Sequence, residues 1–96
     1  MFKQKIQEFR EACYVLFGFR IDMIGQQFKL KSMFAEKPSD TLLFSKQDDD
    51  EFILLENEYS KSLSKEIHAF LTTCHSIPAF LSHLTLDLFN NQTYLN

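Results

Sequence analysis

Apolar residues recur with two different periods along the chain, and the change of period separates helical segments from strands. Residues 2 to 17 have apolar side chains spaced 4, 3, 4 and 3 residues apart, which predicts a helix. The spacing is that of an a/d heptad seam, along which one helix pairs with another. The predicted seam consists of Phe2, Ile6, Phe9, Cys13 and Leu16.

A second apolar strip, formed by Ala12, Val15 and Phe17, lies beside this seam on the same predicted helix. A helix with two apolar strips has two partners. We therefore expect the seam to pair with another copy of the chain and the second strip to pack on the chain's own sheet. Gly18 is expected to end the helix, because glycine adopts the left-handed conformation readily.

The middle of the chain predicts four short strands. Apolar and polar residues alternate at 19 to 23 and again at 28 to 34, with a hairpin turn at 25 to 27 between them. Residues 42 to 44 form a third strand, and residues 52 to 55 form a fourth that is apolar on both faces and is expected to be covered on both. The polar clusters at 36 to 40 and 47 to 50 are expected turns. Short loops of this kind imply an antiparallel meander.

Two helices are predicted to end the chain, with Ser60 as N-cap of the first and a corner at Pro78 between them. Asn90 and Asn91 are the expected end of the second helix. Together these elements predict an α+β domain with an N-terminal coiled-coil helix, a four-stranded antiparallel sheet and two C-terminal helices. The expected buried stripe of the first C-terminal helix is Leu63, Ile67, Phe70 or Leu71, and Cys74; that of the second is Phe80 or Leu81, Leu84 and Leu88, with Phe89 as a further candidate.

Composition restricts the class of protein. A chain of 96 residues forms one domain at most, and its 11 Phe residues require a core or an interface to cover them. The net charge of −3 gives no general attraction to nucleic acid. No run approaches the ~20 apolar residues that cross a bilayer. Cys13 and Cys74 are expected to be free, buried thiols in a reducing compartment, with a disulfide as the minor alternative.

No motif for catalysis or cofactor binding is evident. The acidic run 48 to 51 lacks the glycine and the alternating ligands of a calcium loop, so we interpret it as a solvated loop. The three His residues with Cys74 lack the paired spacing of a zinc site. Both cysteines lie on apolar stripes, where a thiol is inert. The sequence therefore argues against an enzyme and predicts no metal or cofactor.

Two groups of basic residues are candidates for binding a partner. Lys29 and Lys31, with Arg20 on the neighbouring strand, lie on the outward face of the predicted sheet; Lys3, Lys5 and Arg10 lie on the first helix. Ordinary surface charge is the simpler interpretation of the sheet group. In a dimer the helix group would occur twice across the two-fold axis, which suits an acidic or phosphorylated peptide.

Several motifs resemble the carboxy-terminal domain of the mitotic arrest-deficient protein one family, the coiled-coil scaffolds of the spindle assembly checkpoint. The resemblance spans nearly the whole chain. Its motifs are KIQEFR at 5 to 10, ACY at 12 to 14, GFRID at 18 to 22, AE at 35 to 36 with Pro38, LLE at 54 to 56, SIPAFL at 76 to 81, LTLDLF at 84 to 89 and NQT at 91 to 93.

The resemblance implies an RWD-like head, at 18 to 96, on the end of a dimeric coiled-coil helix, at 1 to 17. It also implies a homodimer that acts as a kinetochore scaffold and is located in the nucleus, at kinetochores and at the nuclear envelope. The implied partners are the phosphorylated checkpoint kinase Bub-one, the kinase Mps-one acting on the tail, and the activator Cdc-twenty. By motif position, the phosphorylated threonine of the family is Thr93.

The resemblance places two further family contacts upstream of Phe2. These are an Arg-Leu-Lys kinase-binding motif and the segment that binds Mad-two. Two alternatives to a partner-binding scaffold remain at this point. One is a purely structural dimerisation cap; the other is an enzyme, because RWD folds are related to ubiquitin-conjugating enzymes, and it would need an exposed reactive cysteine.

Overall fold

A computed structural model describes the backbone from Phe2 to Leu95 and the side chains from Lys3 to Gln92. The predicted order of helix, four strands and C-terminal helices is confirmed. The elements are α1 (Phe2–Phe17), β1 (Phe19–Ile24), β2 (Gln27–Ser32), β3 (Leu42–Lys46), β4 (Phe52–Leu55), α2 (Glu58–Lys61), α3 (Ser64–Glu66), a π-helix (Ile67–Thr73) and α4 (Ile77–Leu95).

The four strands form one antiparallel sheet in the order β1-β2-β3-β4, so the predicted meander is confirmed. Ile24 pairs with Gln27, which leaves Gly25 and Gln26 as a two-residue turn. Gly25 has φ of 62°, and a residue in this left-handed region at the first central position matches the twist of the flanking strands.

The core lies between one face of the sheet and α4. Leu30 pairs with Leu42 across the β2–β3 ladder, and residues at alternate positions of each strand share their face. Phe80 on α4 is 0% exposed and packs within this cluster. The buried apolar residues are Phe19, Leu30, Leu42, Phe44, Phe80, Leu84 and Leu88, which confirms the predicted stripe of the last helix.

Gly18 ends α1 as predicted. Its φ is 80°, and its N–H donates to the Tyr14 carbonyl at 2.9 Å, which satisfies a carbonyl of the last helical turn. The Gly18 carbonyl then accepts from Met33 N–H at 2.8 Å. One residue thus ends the helix and joins the sheet, which fixes the direction in which α1 leaves it.

The predicted N-cap of the first C-terminal helix is wrong by three residues. Asn57 is the N-cap: its Oδ1 accepts from Ser60 N–H at 2.8 Å, and the Ser60 hydroxyl accepts from Asn57 N–H at 2.9 Å. This reciprocal pair is a capping box with Ser60 at its third helical position. The Asn57 amide also donates to the Thr41 carbonyl at 2.9 Å, so tertiary structure selects Asn57 over Ser60.

The predicted burial of Cys74 is also wrong. Leu63, Ile67, Phe70 and Leu71 are half-buried against the core, but Cys74 is exposed. The stripe assumed 3.6 residues per turn, whereas 67 to 73 form a π-helix with wider i→i+5 turns. The wider turn rotates each later side chain away from the direction that an α-helix would give it, so Cys74 does not lie on the apolar face. Cys13 is half-buried, and both thiols are free.

The predicted corner at Pro78 is confirmed. His75 adopts φ of 53°, and the Ser76 hydroxyl accepts from Ala79 N–H at 3.1 Å, which caps α4 with Pro78 in its first turn. The predicted helix end at Asn90 and Asn91 is wrong, because α4 continues to Leu95.

The fourth strand is less covered than its sequence predicted. Phe52 is 39% exposed and Ile53 is 46% exposed, while Leu54 and Leu55 are half-buried. β4 is the last strand of the sheet, so one of its sides has no neighbouring strand in the described chain. The Phe52 ring contacts the Phe28 ring edge-to-face, with 5.4 Å between ring centroids. The remainder of the Phe52 ring is open to solvent.

Tyr59 provides a prediction for alkaline pH. Burial, with the nearby carboxylates of Asp40, Glu36 and Asp87, raises the pKa of Tyr59 from 10.0 to about 12. The folded state therefore holds this proton more tightly than the unfolded state, and the corresponding stability is complete below pH 10 and lost between pH 10 and about 12. Urea unfolding across this range should show a steeper loss for the natural chain than for Tyr59→Phe. Parallel losses would show that Tyr59 is not the linked group.

Candidate protein-interaction surface

The predicted heptad seam is an exposed apolar stripe along α1. Ile6 is 58% exposed, Phe9 is 70% exposed and Leu16 is 72% exposed. Cys13 is half-buried, and the side chain of Phe2 lies outside the described residues. These side chains are on one helix face because they are spaced 4 and 3 residues apart. A single chain leaves this stripe in water, where apolar surface of this size is unfavourable.

The expectation that the second strip packs on the sheet is wrong. Val15 is 71% exposed, Phe17 is 68% exposed and Ala12 is also exposed. The face of α1 turned to the sheet is instead formed by Arg10 and Tyr14, which contact β1 through polar and aromatic groups. Hydrophobic periodicity cannot identify such a contact, because a polar residue against a polar sheet face gives no apolar signal.

Arg10 anchors α1 to the outer face of β1. Its Nε donates to the Ile21 carbonyl at 3.1 Å, and its guanidinium forms an ion pair with Asp22. Both partners are partly exposed, so the ion pair orients the helix more than it stabilises the fold. Arg10 therefore has a structural partner, in addition to its predicted role in partner binding.

A second guanidinium lies close by. Arg20 on β1 is stacked over the Tyr14 ring, with its Cζ at 5.2 Å from the ring centroid, within the range of a cation–π contact. An open cavity of about 450 Å³ lies where α1 meets β1 and is lined by Gln7, Arg10, Glu11, Tyr14 and Arg20. No sequence pattern indicates this cavity, since the fold brings its residues together from the helix and the strand that follows it.

The basic group on the sheet and Arg10 of the basic group on α1 meet on one side of the molecule. Lys31 pairs with Arg20 and Lys29 pairs with Asp22 across the β1–β2 ladder, so all four side chains belong to the outer sheet face. Arg10 reaches the same face through Asp22. Lys3 and Lys5 are exposed further along α1, and Lys5 Nζ lies 3.8 Å from Glu8 Oε2.

Thr93 lies in the last turn of α4 rather than beyond the helix, and its side chain is outside the described residues. The preceding turn of α4 is fixed to the loop after β2. Phe89 contacts Phe34 edge-to-face at 5.5 Å, and Gln92 Nε2 donates to the Phe34 carbonyl at 3.1 Å. A phosphate on Thr93 would therefore stand at a helix C-terminus, where the macrodipole disfavours negative charge.

The described residues offer little for other chemistry. Among them, no group of three or more His, Cys, Asp and Glu side chains is arranged to hold a metal ion. Within the same part of the chain, no helix combines the length and apolar character needed to cross a membrane. The His83 ring packs against the Phe70 ring, with 4.9 Å between the two ring centroids.

Comparison with known proteins gives matches to mitotic checkpoint proteins. The model of the mitotic checkpoint protein family MAD matches residues 1 to 93. The chain is 46% identical over 96 residues to the human mitotic spindle assembly checkpoint protein MAD1, covering 97% of this chain and 13% of that protein. It is 35% identical over 104 residues to the Arabidopsis thaliana mitotic spindle checkpoint protein MAD1, covering 97% of this chain and 14% of that protein. The chain therefore belongs to the MAD family of mitotic checkpoint proteins, in which it resembles a short part of MAD1.

Proposed function

We propose that this chain is a non-catalytic homodimerisation and protein-interaction domain of a spindle assembly checkpoint scaffold that works at kinetochores. The observation that supports it most directly is the exposed α1 seam, where Phe9 and Leu16 are 70% and 72% exposed. A seam of this spacing is completed when an equivalent helix covers it. Family membership supplies the checkpoint setting for that surface.

The proposed mechanism is presentation. Pairing of two α1 helices places two heads side by side and doubles each charged surface across the two-fold axis. The outer sheet face, with Lys29 and Lys31, and the exposed lysines of α1 supply the positive charge that a phosphorylated segment requires. Its proposed partner is the phosphorylated checkpoint kinase Bub-one. Phosphorylation of Thr93 by Mps-one and presentation of Cdc-twenty complete the proposal.

A phosphopeptide of Bub-one, compared with its unphosphorylated form, tests the binding part of this proposal. We expect the phosphorylated peptide to bind the natural chain more tightly. Substituting both Lys29 and Lys31 with glutamate should weaken that binding about tenfold, because two favourable charges are replaced by unfavourable ones. Isothermal calorimetry at fixed ionic strength measures the change.

Lys37→Glu is the control, because Lys37 is an exposed lysine in the turn after β2, outside the strand pairs that carry Lys29 and Lys31. It alters the net charge without altering the proposed surface and should leave the affinity nearly unchanged. A purely structural dimerisation cap predicts a different result. No phosphate-dependent binding by the dimeric protein, including its upstream coiled coil, would favour the cap.

A further inference from the structure

The sheet ends at β4, and hydrogen bonds at the β3–β4 turn fix which backbone groups of β4 face its neighbour. Lys46 N–H donates to the Gln26 carbonyl at 3.0 Å, so Lys46 is directed towards β2. Gln47 N–H donates to the Glu51 carbonyl at 2.6 Å, so this pair is directed across the β3–β4 hairpin. Backbone direction alternates along a strand, which sets the pattern for the rest of β4.

Two residues of β4 therefore have backbone groups directed away from the sheet. Ile53 and Leu55, which are paired with Ser45 and Leu43, face β3. The N–H and C=O groups of Phe52 and Leu54 face the open side. Within the described chain no backbone or side-chain partner occupies them. Such a row of donors and acceptors is a template for one more strand.

A groove runs beside this edge. It lies between β4 and the π-helix and has a volume of about 550 Å³, with Phe52 and Leu54 on one wall and Ile67, Leu71 and Ile77 on the other. The side chains of Phe52 and Leu54 are on the core-facing side of β4, since Leu54 pairs with the buried Phe44. An added strand would thus project alternate side chains into this groove.

Negative charge is greater at one end of the groove than at the other, where a single carboxylate, Glu56, directly follows β4. The turn that leads into β4 contains four consecutive carboxylates, at 48 to 51, and all four residues are exposed. Lys46 Nζ lies 3.3 Å from Asp50 Oδ1 and offsets part of this charge. The remaining negative charge favours a positively charged residue on any segment that passes this end.

We propose that β4 binds an extended peptide segment of a partner protein as an antiparallel fifth strand. Two apolar residues of that segment, spaced two apart, lie opposite Phe52 and Leu54 and fill the groove. Lys or Arg residues follow on the C-terminal side, where antiparallel pairing brings them beside the acidic turn. Antiparallel pairing matches the rest of the sheet and is slightly more stable per residue than parallel pairing. This site does not require the proposed dimer.

Synthetic nonapeptides provide the first test. One contains Val-Thr-Val followed by two lysines, a second has the lysines before the same core, and a third repeats the first with N-methylated valines. We expect the first peptide to bind at least about fivefold more tightly than the second, from the difference in ion pairing. The Phe52 and Leu54 amides should become protected from hydrogen exchange. The N-methylated peptide should lose binding, because it lacks the donors of an added strand.

Phe52→Pro and Phe52→Ala form the matched pair in the protein. Both remove the ring, but only proline removes the outward N–H, which β3 does not use; proline is tolerated at the first residue of an edge strand. We expect Phe52→Pro to bind the first peptide about tenfold more weakly than Phe52→Ala, the effect of one lost hydrogen bond. Urea unfolding of both variants confirms that they are folded.

Three results would overturn the proposal. They are equal affinity of the N-methylated and unmodified peptides, absence of binding by the first peptide at millimolar concentration, and protection of the Phe52 and Leu54 amides that grows with protein concentration in the absence of peptide. The last result would identify a second copy of this chain as the occupant of the edge. The peptide comparison remains decisive if Phe52→Pro does not fold.

Discussion

Replacing Phe80 with alanine is expected to lower the free energy of unfolding by about 3–5 kcal/mol, the usual cost of removing a buried ring. The Phe80 side chain is 0% exposed and lies in the buried cluster with Leu42 and Leu84, which are 1% and 2% exposed. Sheet and helix meet there, and the surrounding side chains relax only partly into the cavity that the substitution leaves. A domain of this size has roughly 5–15 kcal/mol of stability in total, so the loss is a large part of it.

Phe89→Ala is the matched control for this measurement. It also removes a phenylalanine ring from α4. In the natural chain, however, Phe89 is 47% exposed, and its ring has an edge-to-face contact with Phe34. We expect it to cost about 1 kcal/mol, the value of an aromatic pair at a partly exposed position. Urea unfolding at one fixed protein concentration compares the two, because the stability of a dimer depends on concentration. Equal losses would show that Phe80 is not at the centre of the core.

The regular elements could be predicted from the sequence because each has a local cause. The α1 boundary depends on Gly18, whose φ of 80° suits glycine, and the last corner depends on the Ser76 cap with Pro78 in the first turn. The alternating pattern of β1 and β2 was equally informative, since one face of this pair is buried and the other is polar.

The incorrect predictions from the sequence have their causes in the tertiary structure. Asn57 rather than Ser60 caps α2 because Asn57 also bonds to the Thr41 carbonyl, which is 16 residues away in the sequence. Cys74 leaves the apolar stripe because the π-helix changes the turn width, and no periodicity rule anticipates that change. The apolar run of β4 suggested burial on both sides, but the order of the strands places β4 at the edge.

The candidate surface was predicted only in part. The seam on α1 follows directly from residue spacing, and its exposure agrees with the need for a partner. The arrangement of basic residues could not be predicted, because Arg10 and Lys29 become neighbours only through Asp22, which lies between them in the fold. Binding roles for these residues and for Thr93 remain predictions.

The exposed cysteine bears on the enzymatic alternative. Cys74 is accessible, as a reactive thiol must be, so exposure alone does not exclude chemistry there. A catalytic thiol also needs a neighbouring base or positive charge that lowers its pKa. The rate at which a thiol reagent modifies Cys74 in the native state, compared with a cysteine in an unfolded peptide, tests this second requirement; equal rates would exclude an activated thiol.

Phe9→Asp is expected to abolish the proposed dimer and leave a folded monomer. Pairing of two α1 seams would bury Phe9 of both chains, and the substitution would place an unpaired carboxylate there twice. Burying a charge without a partner costs about 3–5 kcal/mol, so the dimer dissociation constant should rise at least about 100-fold. Sedimentation velocity over a range of concentrations measures this change, and circular dichroism checks that the monomer remains folded.

Val15→Asp is the control that isolates the seam from the rest of α1. Val15 is 71% exposed and Phe9 is 70% exposed, so a single chain presents both side chains to water to the same extent. They differ in direction: six residues of helix place Val15 about 120° from Phe9, at an outer position of the heptad. A dimer held by the seam tolerates Val15→Asp and loses its stability with Phe9→Asp. Dimers that persist in both variants would show that the seam is not the dimer interface. Monomers in both variants would show that the interface covers a broader face of α1.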